Sequence, residues 1–283
     1  MTPKEFYQEQ LVKHQKTRSE LMSKMRLLQI VRLIVFLAAI AGVYLFWGSR
    51  YGVLLTLVVG IVGFVFLVFQ HTNVKAKKRK SQALIEINKI ELRVLDRDVD
   101  GLPTGDQFKN DQHAYSQDLD LFGKASFYQY LNRTQLDEGS QTLVNILLAN
   151  DPSNILEKQE AIKELASKPE WRQSFSAEGS LLKTKVSTKA VRSWFLNYVP
   201  FVPRITKILV PIIGVLSLAA ITLYLLDIIA GMHLMLWFFV GGSIIGRYLK
   251  KIGKLASDLG EIHDTFIRYS SLLGHIEGEE FRS

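Results

Sequence analysis

The sequence predicts an all-α protein in which two transmembrane helical hairpins, four spans in all, flank a helical module and a long heptad-patterned helix closes the chain. Three observations carry that prediction. The apolar residues, 48% of the 283, are gathered into blocks long enough to cross a bilayer. Lys and Arg crowd the ends of those blocks. Elsewhere apolar positions recur at three- and four-residue spacing, the period of one helix face.

Composition narrows the function classes. The chain has no Cys, so disulfides and thiolate zinc sites are excluded, which fits a reducing compartment. Residues 1–26 are polar and no small-x-small site follows the first apolar run, unlike a cleavable signal. The net charge of +8 is uneven, because residues 81–181 hold 10 basic and 17 acidic residues. A general basic face for nucleic acid has a different distribution. Positive charge beside apolar blocks marks the cytoplasmic surface of a membrane.

Taken in order, residues 1–26 predict a cytoplasmic amphipathic helix, with Leu11, His14, Arg18, Leu21, Met25 and Leu28 in one seam. It is expected to ride on the membrane surface or to pack against later helices. Residues 27–70 predict the first hairpin. Residues 33–47 are apolar, residues 27–30 extend the run past a snorkelling Arg32, Gly48-Ser49-Arg50 turns the chain, and residues 51–69 cross back. Lys75, Lys77, Lys78, Arg79 and Lys80 follow, while the turn holds Arg50 alone, so both ends are expected inside.

Residues 71–115 predict a basic juxtamembrane segment, a helix with Ala83, Ile87, Ile90 and Val94 on one stripe, and an acidic linker. Asp96, Asp98, Asp100 and Gly101 match the opening of a calcium loop, but Gln107 stands where the bidentate Glu is needed, so a solvated linker is expected. Residues 116–200 form the helical module. Thr134 with Asp137 predicts one N-terminal cap, and Asp151 with Pro152 another. Leu136, Leu143 and Leu147 supply one apolar face and Ile155, Gln159, Ile162 and Ala166 the next. Pro169 opens a segment with Trp171 and Phe175.

Residues 183–207 carry six basic residues and no acidic one, a second juxtamembrane signature. Residues 204–246 predict the second hairpin, with spans at 208–226 and 234–245 and a break at Asp227, Gly231 and His233. The last run is short enough for a partial or tilted insertion. Gly242 and Gly246 allow a close helix approach. Residues 247–283 predict a coiled-coil-like lever helix. Ile245, Tyr248, Ile252, Leu255, Leu259, Ile262, Phe266, Tyr269, Leu273 and Ile276 keep the 3, 4 spacing without a slip.

No catalytic, cofactor or metal constellation emerges. The six His are scattered, and the glycine spacing from Gly241 lacks the Lys and Ser/Thr of a phosphate loop and lies in an apolar run. Asp227 and His233 lie at a hairpin turn, where an aqueous loop explains them better than a transport path.

One stretch, residues 118–165, carries a family pattern. DLDLFG, SFYQYLNRT, a Gly, two Leu and ILEKQEAIKEL resemble the start of the core (lever) domain of the MutS family of mismatch-repair ATPases. The matching positions are Leu119, Asp120, Leu121, Phe122, Leu131, Asn132, Arg133, Thr134, Gly139, Leu143, Glu157, Gln159, Ala161 and Ile162, with Lys158 where Arg is usual. The hairpins look like a membrane-anchored branch of that family, the second replacing the DNA clamp.

What the resemblance implies is a membrane-anchored MutS-related protein, N-terminal core and lever part, acting in DNA mismatch repair or DNA maintenance. The family's mismatch reader and P-loop ATPase domain have no counterpart in this sequence, so the chain is not expected to be an enzyme. ATP and Mg are expected only with a downstream ATPase domain. The expected partners are the lipid bilayer, a second copy or another helix along the C-terminal seam, and DNA nonspecifically. The expected location is the inner (cytoplasmic) membrane, multi-pass, with the soluble parts cytoplasmic. The alternative is a membrane scaffold or oligomerisation protein without DNA function.

Overall fold

The computed structural model describes residues 1–149, 151–182, 196, 206–226 and 228–281, and these are helical with no strand among them. The chain divides into two compact units: Met1–Leu45, Leu55–Lys183 and Ile267–Ser283 in the first, and Phe46–Leu54 with Thr184–Phe266 in the second. Of the predicted basic flank 183–207, residues 183–195 and 197–205 lie outside the described residues, as does Asp227.

Helix α1 (Pro3–Leu45) begins at a reciprocal cap: the Glu5 N–H donates to Thr2 Oγ1 and the Thr2 N–H to Glu5 Oε2, with Pro3 at the first helical position. The helix expected over residues 1–26 and the first apolar run are one continuous element of 43 residues. Helix α2 (Arg50–Leu95) is likewise continuous over 46 residues. Each is roughly 65–70 Å long, about twice the hydrocarbon thickness, so half of each extends beyond an apolar window as a stalk.

The predicted seam is the inward face of α1. Leu11, His14, Arg18, Leu21, Met25 and Leu28 are half-buried, and the same spacing continues through Arg32, Val35, Ala39 and Gly42. Small residues set the closest approach. A Cβ on Gly42 would meet Thr56 at 2.5 Å, and one on Gly60 would meet Ala39 at 3.0 Å. Farther along, Ser81 Oγ donates to the His14 carbonyl at 3.0 Å.

On the stalk half of α2 the buried residues are Ser81, Leu84, Ile85, Asn88 and Val94; of the predicted stripe Val94 is among them, while Ala83, Ile87 and Ile90 are half-buried, rotated from the face that Leu84, Ile85 and Asn88 occupy. The cause is a second neighbour. Helix α6 (Pro169–Leu181) presents Gln173, which exchanges amide bonds with Asn88 at 2.8 and 3.3 Å, and Glu178, which pairs with Lys80 at 2.8 Å. A satisfied amide pair is buried at a position that apolar periodicity alone leaves out.

The linker after α2 leads to a small core of Leu121, Phe122, Tyr128 and Val144, against which Phe108, Tyr115, Leu143, Leu147 and Leu148 pack. It joins α3 (Phe127–Leu131) to α4 (Asp137–Leu148). The caps differ from the sequence prediction. Leu136 precedes α4 without a side-chain bond, because Thr134 Oγ1 is engaged by Asn132 Oδ1 at 2.6 Å and Ser140 Oγ at 2.7 Å. Asn154, in left-handed geometry, precedes α5 (Ile155–Ala166), because Asp151 instead accepts from the Ser153 N–H and hydroxyl in an Asx turn. The predicted stripe on α5 is uncovered: no residue of the helix is buried, and Ile162 is 66% exposed.

In the second unit, α7 (Thr206–Leu225) and the first part of α8 (Gly231–Glu277) carry the later apolar runs. Trp237 Nε1 donates to Ser217 Oγ at 2.9 Å between them. Arg50 donates to the Tyr224 carbonyl at 2.9 Å and lies 5.0 Å from the Tyr224 ring, so the turn after α1 meets the end of α7. Among the described residues three helices are long and apolar enough to cross a membrane, and a fourth span follows if Gly231–Ser243 and Tyr248–Ser257, bent by 60°, count as one. Among the described residues no neighbouring group lies within 4 Å of a Cβ placed on Gly242 or Gly246, so no close helix approach is seen at that pair.

Candidate functional site

The residues that carry the family resemblance fall into two sets. The first is a knot around Asn132, which is 7% exposed. The polypeptide reaches it through a loop that needs unusual backbone: Asp120, Gly123 and Ala125 all have positive φ, at 47°, 119° and 58°. Several hydrogen bonds hold that loop. The Asp120 carbonyl accepts from the Phe127 N–H at 3.1 Å, and the Leu121 carbonyl from the Tyr128 N–H at 3.0 Å. Gln129 Oε1 accepts from the Ala125 N–H at 2.7 Å. The result drives Leu121 and Phe122 into the core and leaves Leu119 and Leu131 largely exposed.

Asn132 then joins three partners. Its amide donates to Tyr128 Oη at 3.0 Å, and its oxygen accepts from the Thr134 N–H at 2.9 Å and the Thr134 hydroxyl. Gly139 lies beside Thr134 with room for a Cβ at 3.4 Å, and Leu143 packs on the core. Arg133 points the other way. Its Nε donates to Glu91 Oε1 at 2.7 Å, a second nitrogen reaches Glu91 Oε2 at 3.4 Å, and the third donates to the carbonyls of Tyr130 and Asn132. The knot is thereby pinned to the stalk by a forked, part-buried ion pair. Burial pushes the nearby Tyr7 hydroxyl above its usual value; the Glu91 charge adds to this and Arg172 and Arg133 oppose it.

The second set, Glu157, Gln159, Ala161 and Ile162, lies on α5 and is exposed. Glu157 and Ala161 meet the knot only across a cavity of about 900 Å³, whose lining also includes Arg133, Arg172, Phe175 and Ile276. The C-terminal end of α8 closes the opposite wall. Trp171 Nε1 donates to the His275 carbonyl at 3.1 Å, and Lys168 donates to Glu279 at 2.6 Å and to the Glu280 carbonyl at 2.7 Å. These bonds to Glu279, with Glu164 adding, hold the Lys168 ammonium above the usual lysine range. Leu272 is the buried residue of this end, whereas Phe266, Tyr269, Leu273 and Ile276 of the predicted heptad seam are exposed.

Two parts of the arrangement escape sequence reading. Gln129, 2% exposed, stitches the loop to the linker by donating to the carbonyls of Val99 and Leu102 at 3.1 and 2.8 Å, and no spacing rule singles out such a glutamine. In the Asp-rich linker, Arg93 forks onto Asp98 at 2.7 and 3.0 Å and holds its carboxyl below the usual range; the cation there is a side chain. Among the described residues no three His, Asp or Glu are grouped to hold a metal ion.

Comparison of the chain with protein-family models, curated proteins and solved structures gives no match.

Proposed function

We propose that the chain is the membrane-anchored core and lever part of a MutS-related protein serving DNA mismatch repair or DNA maintenance. In this reading the apolar hairpins hold the module at the cytoplasmic face of the inner membrane. The module positions an ATPase domain, supplied beyond residue 283, near DNA. The observation that carries the reading is the convergence of Leu121, Phe122, Asn132, Arg133, Thr134, Gly139 and Leu143 in one knot pinned to a stalk helix. Residues spread over some twenty positions gain a shared structural reason to occur together, as expected of a motif that seats a lever. Reading the gene past codon 283 tests it. An in-frame GxxxxGK[ST] loop is the expected result, and a stop codon with no such loop would contradict the reading.

A second reading, a membrane scaffold that assembles through helix faces, draws on a different observation. Leu156 at 74% and Ile162 at 66% leave the apolar side of α5 uncovered, as are Phe266 and Leu273 on α8. Under this reading the same gene shows no ATPase and the chain self-associates in detergent.

A further inference from the structure

The cations at the stalk end of the first hairpin are placed for a ligand that the protein does not supply. Contacts of Gly42 with Thr56, Ala39 with Gly60 and Val35 with Gly63 fix the antiparallel register of α1 and α2. In that register Lys24 is level with Lys75, and Arg26 lies just on the membrane side of both. Lys77, Lys78 and Arg79 follow within about one turn of Lys75 and make with it a collar of cations, of which Lys75, Lys77 and Arg79 are exposed. Lys80 is drawn to Glu178, but none of these others has an acidic partner among the described residues. Glu20, the acidic residue at this level, likewise pairs with none of them.

Arg32 supplies the second observation. The same register sets it level with about residue 66 of α2, roughly 5 Å inside the end of that helix's apolar run at Phe69. Its described contact is the Phe64 ring, 5.7 Å from the guanidinium carbon. A guanidinium at that depth reaches outward along its stem to the headgroup plane. The collar above and Arg32 below therefore bracket the layer in which lipid phosphates lie.

We propose that this collar binds the phosphates of anionic phospholipids, with Arg32 reaching them from the acyl side and Lys75, Lys77 and Lys78 from the aqueous side. This rests on the membrane part of the proposed function and adds a lipid class to it. Duplex DNA is the other polyanion to consider. It has no access to Arg32, whose neighbours are apolar, and so accounts for half of the arrangement at most.

The test uses the full chain reconstituted in vesicles of equimolar phosphatidylcholine and phosphatidylglycerol, extracted in mild detergent, with both lipid classes that co-purify measured by mass spectrometry. The wild-type chain is expected to carry phosphatidylglycerol enriched about fivefold over phosphatidylcholine. K75Q/K77Q/K78Q should bring the ratio close to one. R32Q, which leaves the orienting lysines in place, should lower it at least in part, and R32K should restore it. K124Q/K158Q/K163Q, which removes equal charge from the soluble module, should leave it unchanged. An equal ratio in wild type and the collar variants would overturn the proposal, as would duplex DNA at low salt that abolishes the enrichment in wild type. Release of the wild-type chain from the vesicles by carbonate without detergent would refute the membrane reading itself, and the proposal with it.

Discussion

Arg133 reaches across forty-two residues to Glu91 and grips both oxygens of its carboxylate, at 2.7 and 3.4 Å. Because Arg133 also donates to two carbonyls of its own turn, its loss removes several charge-assisted bonds at once. R133A should destabilise the folded chain by about 2 kcal/mol, and E91A by a similar amount, since each leaves a half-buried charge unpaired. Arg133→Lys should rescue little, because an ammonium cannot fork. Thermal unfolding of the full chain in detergent, run as a double-mutant cycle, measures the coupling; strictly additive losses would show that the pair does not seat the knot.

Asn132 is the interior counterpart. N132A strands the Tyr128 hydroxyl and the Thr134 N–H in a buried place and should cost about 1–3 kcal/mol. Asn132→Asp should cost at least as much, since it loses the amide donor and buries a charge. The same unfolding assay reads both, and a melting temperature unchanged in N132A would contradict the assignment.

Two glycines separate motif from mechanics. Gly105 has φ of 73° and a Cβ there would meet Tyr128 at 2.7 Å, so G105A should be strongly destabilising. Gly139 belongs to the family pattern, yet it is helical with a Cβ position at ordinary contact distance, 3.4 Å from Thr134. G139A should therefore be neutral or stabilising by up to about 1 kcal/mol. Destabilisation by G139A comparable to that of G105A would mean the first turn of α4 is tighter than described.

Acid should loosen the stalk before it reaches the carboxylates. Burial, with Lys13 adding, holds the His14 imidazole below its usual value. The unfolded chain therefore takes up the proton more readily, and the stability conferred by neutral His14 is complete above the unfolded value near pH 6.5 and declines as pH falls through the lower folded value. Asp98 and Asp151, held low by hydrogen bonds from Arg93 and Ser153, lose their contribution only at more acid pH. Melting temperature should fall between about pH 7 and 5 in wild type and less in H14Q. Identical profiles would remove His14 as the cause.

Much of the architecture is legible in the sequence because it depends on periodicity. The apolar blocks, the turn at Gly48 and Ser49, and the α1 seam from Leu11 to Leu28 are all repeated signals. The failures share a physical origin in polar groups satisfied by distant partners. Thr134 reads as a cap until Asn132 and Ser140 claim its hydroxyl. Asn88 lies off the apolar stripe of its helix, yet it is buried because Gln173, eighty-five residues away, pairs with it. The stripe on α5 is visible in the sequence, but whether it meets a partner within the chain is not a local property.

The proposed function also makes a negative claim about DNA. Residues 81–181 are net acidic, so their average field repels a polyanion. Residual binding should come from basic patches such as Lys75 to Lys80, weaken steeply with salt and show no preference for a mismatched duplex. Filter binding across a salt series checks this. A tenfold mismatch preference, about 1.4 kcal/mol, would place recognition within this chain.

The most direct test of the account is on which side of the membrane the knot lies, since a MutS-related core must share a compartment with DNA. The chain has no Cys, so single-cysteine variants report cleanly. In intact cells a membrane-impermeant maleimide should label S49C, in the turn after α1, and leave D118C untouched until the cells are lysed. Labelling of D118C in intact cells, with S49C protected, would put the knot on the outer face and contradict the proposed function.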